Sequence, residues 1–131
     1  MTPVPGHGHV VLLVEDNEKN LKLARDVLEH AGFVVHTAVT GEEAVTRAQE
    51  APPDLVLMDL QLPGIDGHTA LARLRDDRRT ADIPVVALTA FAMRQDRERA
   101  REAGFDGYLE KPISVRHFPE QVRRHLRGGP S

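Results

Sequence analysis

The 131-residue chain contains no cysteine and no tryptophan, a single tyrosine and only four phenylalanines. Without cysteine, a disulfide framework, a thiolate nucleophile and a zinc–thiolate site are all excluded. There is no basic excess: 17 Lys and Arg stand against 20 Asp and Glu, a formal net charge of −3. That balance argues against a nucleic-acid binder. No apolar run approaches the ~20 residues that a membrane span needs. The opening MTPVPGHGH lacks the basic segment and apolar core of a secretory signal. These absences lead to the expectation of a cytoplasmic protein without a membrane partner. The length suits one domain built on one core. The seven histidines are dispersed, and His7 and His9, in a Pro/Gly-rich opening, read as part of a leader rather than a metal site.

What is present is a periodicity that keeps switching. Val10–Val14 reads as a buried strand, and residues 18–31 as a helix with Ala24, Val27, Leu28 and Ala31 on one face and Gly32 as its left-handed stop. Phe33–Ala38 is a second strand. Thr40 and Glu43 form a capping-box pattern opening a helix to about Ala51, which Pro52 and Pro53 break. Leu55–Met58 is a third strand ending at Asp59, and the loop QLPGIDG leads to a helix over His68–Arg75. Pro84 precedes a fourth strand, Val85–Leu88. A charged helix covers 94–103, stopped by Gly104. Gly107–Leu109 is a short fifth strand, and Ser114 is expected to cap a last helix running to Leu126. Pro119 would then sit inside that helix, beyond the first turn, where proline is costly. Residues 1–8 and 128–131 read as tails. Five strand–helix units, with strands apolar throughout rather than alternating, predict an α/β fold: a doubly wound, five-stranded parallel sheet flanked by five helices.

In such sheets, sites lie at the carboxyl ends of the strands. Glu15 and Asp16 follow the first strand, Asp59 the third and Thr89 the fourth, and Lys111-Pro112 follows the fifth. Taken singly, each has a plain reading. Asp16 or Asn17 would cap a helix, Asp59 would be a polar strand end, Thr89 would cap a turn and Lys111 would be a solvated lysine. Their joint placement argues otherwise. Adjacent ionised acids repel and are expensive to desolvate, so they call for a cation. Hard oxygen donors suit Mg²⁺, which keeps several waters and leaves positions for a phosphoryl oxygen.

At these residues the chain resembles the receiver domains of two-component response regulators. The motifs that carry the resemblance are VLLVEDN, LVLMDLQLPGIDG, VVALTA and YLEKPIS, in that order, over residues 9–127. TAFAM and EKPISVRHF make it most similar to stand-alone receivers that regulate cell division. The resemblance implies the flavodoxin-like receiver fold, with Asp59 as phospho-acceptor. It implies Mg²⁺ held by Asp16, Asp59 and the main-chain carbonyl of Gln61, with Glu15 acting through water. It also implies that Thr89 and Lys111 contact the phosphoryl group and that Tyr108 is a mobile aromatic. A cis peptide is expected at Lys111-Pro112. On phosphorylation, Thr89 would move toward the phosphoryl group and Tyr108 would swing from solvent into the gap. The phosphodonor would be a histidine kinase or a histidine phosphotransfer protein. A downstream protein would read the surface of the fourth helix, fifth strand and fifth helix, to which Phe91, Met93, Phe105 and Tyr108 contribute. Leu21 and Leu23 on the first helix would help to dock the donor.

Three other classes fit less well. A haloacid dehalogenase-type phosphohydrolase needs a second Asp two residues after its nucleophile, where this chain has Gln61, and places that nucleophile after the first strand. A flavodoxin-like cofactor binder needs a phosphate-cradling loop after the first strand, where Glu15 and Asp16 would repel phosphate. A DNA-binding regulator would be expected to carry a further module, and the basic run RHFPEQVRRHLR is better explained as cations near a helix C-terminus.

Overall fold

A computed structural model describes residues 8–90 and 94–126. The tails expected at 1–8 and 128–131 lie outside the described residues except for Gly8, as do His7, Phe91, Ala92 and Met93. The chain runs β1 (Val10–Val14), α1 (Glu18–His30), β2 (Val34–Ala38), α2 (Gly41–Glu50), β3 (Leu55–Asp59), α3 (Gly67–Arg75), β4 (Val85–Thr89), α4 (Arg94–Ala103), β5 (Gly107–Glu110) and α5 (Phe118–His125). All strand pairs are parallel, in the order β2-β1-β3-β4-β5. The strand order reverses between β1 and β3, which opens a crevice at their carboxyl ends.

Side chains alternate across a strand, so each apolar strand serves two cores. Leu12, Val14, Val56, Met58, Val85 and Ala87 enter the core on the α2, α3 and α4 side. Val11, Leu13, Leu55, Leu57, Val86, Leu88 and Leu109 enter the other, closed by α1 and α5 through Ala24, Leu28, Phe118 and Val122. Double-sided burial is the reason these strands carry no polar alternation. The edge strand β2 is the exception, with Val34 and His36 exposed.

Helix ends follow local chemistry. Asn17 caps α1, its side-chain oxygen accepting the Asn20 N–H at 3.0 Å. This leaves the neighbouring Asp16 exposed and without a capping duty. Thr40 Oγ1 accepts the Glu43 N–H at 3.0 Å, as a capping box requires, but the Glu43 carboxylate accepts from Val39 N rather than from Thr40 N. Gly32 and Gly104 stop their helices at φ +100° and +107°.

The last helix corrects the expectation. Ser114 does not begin it. The Ser114 carbonyl accepts the His117 and Phe118 N–H groups, closing a separate turn, and α5 starts at Phe118. Pro119 therefore lies in the first helical turn, where its missing N–H would have had no intrahelical partner anyway. The Ser114 hydroxyl accepts the His117 N–H at 3.3 Å in the turn before the helix, and Phe118, fully buried, anchors the helix to the α1 side of the sheet.

Candidate functional site

The alternation that builds the cores also sorts the side chains at the carboxyl edge. Glu15, Asp59 and Lys111 continue the parity of Leu13, Leu57 and Leu109, and so point to the α1–α5 side. Thr89 and Tyr108 share the parity of Ala87 and point to the α4 side. One edge thus carries an acidic cluster with a cation on one face and a hydroxyl pair on the other.

In the acidic cluster, Lys111 Nζ donates to Glu15 Oε1 at 2.6 Å and to Asp59 Oδ2 at 2.8 Å. The other Asp59 oxygen, Oδ1, accepts the Gln61 N–H at 2.9 Å. Asp16 completes the group from an exposed position. One oxygen from each of Glu15, Asp16 and Asp59 lies within 4.8 Å of the others. Glu15 and Asp59 are 2 % and 5 % exposed. The cavity they line, about 250 Å³, is also bounded by Asn20, Gln61, Thr89 and Lys111. The Lys111-Pro112 peptide is cis.

The electrostatics are lopsided. Burial pushes the Glu15 carboxyl up to about 7, reinforced by the neighbouring Asp59 and opposed by Lys111. Burial acts on Asp59 in the same direction, but hydrogen bonds with Glu15, Lys111 and the Gln61 N–H outweigh it and hold Asp59 below the usual carboxylate range. Lys111 loses stabilisation by burial, yet the two acids raise it and keep it charged. Glu15 Oε2 is buried without a hydrogen-bond donor among the described residues. A buried acceptor of this kind is costly unless a proton or a cation meets it. Three carboxylates around one ammonium, one of them with an unmatched oxygen, form a hard-oxygen donor set that suits a divalent cation such as Mg²⁺.

On the other face, Thr89 is 4 % exposed and Tyr108 lies beside it, on the same face of the strand pair. Burial raises the Tyr108 phenol above its ordinary value, partly offset by the neighbouring Thr89. Tyr108 is half-buried against the α4-side core. Beyond it, a groove of about 640 Å³ runs along α4 and β5, lined by Arg94, Arg97, Arg101, Phe105 and Tyr108. On α1, Leu23 is 45 % exposed, whereas Leu21 packs against the core. Leu23 and Ala24 border a second, apolar cavity of about 250 Å³ with Pro112 and Ile113.

Asn20 lines both cavities and was not singled out from the sequence. It stands in the first turn of α1, where its N–H is the one that the Asn17 side chain caps.

The comparisons with known proteins agree with this geometry. A family model for the response regulator receiver domain matches residues 11–123. The polar-differentiation response regulator DivK of Brucella ovis is 47 % identical over 116 residues, covering 88 % of this chain and 94 % of that protein. The chemotaxis response regulator CheY4 of Vibrio cholerae superimposes with a TM-score of 0.86 at 26 % identity, over 91 % of this chain and 99 % of that one. The receiver domain of a sensor histidine kinase from Pseudomonas aeruginosa superimposes with a TM-score of 0.83 at 35 % identity, over 90 % of this chain and 97 % of that one. That structure has a magnesium ion coordinated in its active-site cleft.

Proposed function

The chain belongs to the response regulator receiver family, and from that premise we propose that it switches by accepting a phosphoryl group on Asp59. It is a signalling switch of the two-component type rather than a classical enzyme. The observation that carries the site assignment is the clasp of Lys111 on both Glu15 and Asp59, with Asp16 beside them. No other group of acids among the described residues converges in this way.

The donor is a phosphohistidine on a histidine kinase or a phosphotransfer protein. A carboxylate oxygen of Asp59 attacks phosphorus. The O–P bond forms as the N–P bond breaks, and its electron pair leaves with the imidazole nitrogen. Charge spreads over the phosphoryl oxygens in the loose transition state. Lys111, already charged and already at Asp59, meets part of that charge. Glu15, Asp16, Asp59 and the Gln61 carbonyl would hold Mg²⁺, and the unmatched Glu15 Oε2 fits a cation-bound water there. When bound, the ion supplies electrostatic stabilisation of the same oxygens. The Gln61 N–H keeps Asp59 oriented. By supplying these groups itself, the chain assists its own phosphorylation and dephosphorylation. Leu23, exposed next to the cavity, is a contact for the donor.

The readout lies on the other face. A phosphoryl group adds roughly one to two negative charges and strong acceptors beside Thr89. Thr89 then turns toward a phosphoryl oxygen and away from the neighbouring Tyr108. The ring is released to repack, and the groove along α4 and β5 and the neighbouring α5 surface change shape for a downstream protein. This reading assigns no nucleic-acid or membrane partner and places the protein in the cytoplasm. No described helix is long and apolar enough to cross a membrane.

Intact-mass measurement with acetyl phosphate and Mg²⁺ tests the assignment. One phosphoryl increment is expected, and it should disappear with EDTA or in Asp59→Asn. Stoichiometric labelling that survives Asp59→Asn would overturn it.

A further inference from the structure

The loop that follows Asp59, residues 60–66, carries the Gln61 N–H that orients Asp59 and the Gln61 carbonyl assigned to the metal. At its far end it is held by local bonds: Asp66 caps α3 through the Thr69 N–H at 2.8 Å. Between these ends, residues 62–65 make one hydrogen bond to another element among the described residues. It runs from the Ile65 N–H to Glu42 Oε1, at 3.1 Å, in the first turn of α2.

The contact is built closely on both sides. Gly64 has φ +77°, a left-handed conformation that favours glycine. A β-carbon on Gly64 would fall 2.5 and 2.7 Å from the two Glu42 carboxylate oxygens. A β-carbon on Gly41 would fall 2.6 Å from Ile65 Cγ1 and from the Ile65 carbonyl. Two glycines therefore let the start of α2 and the middle of the loop meet without intervening side chains. The Glu42 carboxylate lies directly over the Gly64 backbone. Its own N–H and that of Ile65 hold this carboxyl below its ordinary range, so it remains ionised and a strong acceptor at neutral pH.

From this geometry we infer that Glu42 is a positioning residue: it clamps the 60–66 loop so that Gln61 presents its N–H to Asp59 and its carbonyl to the cation site. The inference deepens the phospho-acceptor reading and rests on it for the cation, but not for the order of the loop. Glu42 touches neither the reacting atoms nor the metal ligands. It acts through five residues of backbone, and no short-range sequence signal links position 42 to position 65.

The experiment compares the parent, Glu42→Ala and Glu42→Gln by amide hydrogen exchange without metal and by Mg²⁺ titration. Glutamine removes the charge but keeps a side-chain carbonyl as acceptor, so it separates the bond from the charge that Glu42 places at the start of α2. In Glu42→Ala, the Ile65 and Gln61 amides should exchange faster, and Mg²⁺ affinity should fall about three- to tenfold, the scale of one net hydrogen bond. Glu42→Gln should stay close to the parent in both measurements. Parent-like exchange in Glu42→Ala would overturn the inference, as would faster exchange with unchanged Mg²⁺ affinity. Equal damage in Glu42→Gln would also overturn it, by assigning the effect to charge. Should the parent itself bind no Mg²⁺, the metal reading falls, and the exchange of Ile65 and Gln61 still decides whether Glu42 orders the loop.

Discussion

The two ends of the sheet each carry a cation among acids and carbonyls, and they are finished differently. At the end opposite the site, Arg75 reaches from α3 to the segments flanking β4 and β5. Its guanidinium donates to the carbonyls of Ala81, Ile83 and Gly104 and to Asp106 at 2.6 Å, and Asp106 also accepts the Val85 N–H. One positive charge meets one negative charge, and the planar fork is used on several sides, which is what makes arginine suited to such a clasp. At the carboxyl edge, one ammonium meets two carboxylates with a third, Asp16, beside them, and Glu15 Oε2 is left without a donor among the described residues. The balanced network ties loops together. The unbalanced one is held in place by the fold at a cost in electrostatic energy, and its excess negative charge suits a cation.

Removing one partner from each network sharpens the contrast. The largest effect is expected at the unbalanced end. Asp16→Ala deletes the exposed carboxylate of the cation site and should weaken Mg²⁺ binding by more than about 100-fold, since even groups outside a metal's ligand set are worth roughly 10- to 100-fold. The fold should survive, because Asp16 caps no helix; its neighbour Asn17 does. Isothermal titration of Mg²⁺ measures this, and equal affinity in parent and variant would break the comparison.

At the balanced end the expectation is reversed. Arg75→Ala leaves three carbonyls and Asp106 with fewer donors and should cost about 2 kcal/mol of stability. Mg²⁺ affinity should stay within about twofold, because the two networks lie at opposite ends of the sheet. Urea unfolding together with the same titration checks both halves. A large loss of Mg²⁺ binding in Arg75→Ala would mean that the ends are coupled.

The smallest effect concerns pH. The Glu15 carboxyl titrates near 4.5 when unfolded and is pushed up to about 7 in the fold by burial and by Asp59. Between those values the folded state binds more protons than the unfolded state, so metal-free stability should decrease as pH rises through that window. Asp59, held below its usual range, and Lys111, held above its own, change charge outside the window and do not mask it. The decrease should be spread between pH 4.5 and 7.5, and Glu15→Gln should flatten it. Urea unfolding in EDTA across that range measures the slope. An identical slope in Glu15→Gln would assign the proton uptake to another group.

What was legible in the chain follows from where burial is two-sided. Val10–Val14, Leu55–Met58 and Val85–Leu88 could be read as strands because a strand between two helical layers has no polar face. The carboxyl-edge residues could be read because each stands next to such a strand, and parallel topology brings strand ends together however far apart they lie in sequence. Gly32 and Gly104 marked helix ends through local conformational preference, which needs no partner. Residue by residue, then, the sequence by itself determined the strand–helix alternation, the parallel sheet and the gathering of Glu15, Asp16, Asp59, Thr89 and Lys111 at one edge. The tertiary structure alone decided the rest. It moved the start of α5 from Ser114 to the buried Phe118: the Ser114 hydroxyl accepts the His117 N–H at 3.3 Å but caps only the turn before the helix. It left Tyr108 half-buried, because the ring packs against the α4-side core at the edge of the groove. It joined Glu42 to Ile65, because contacts between separate helices and loops depend on packing distance, which no periodicity records.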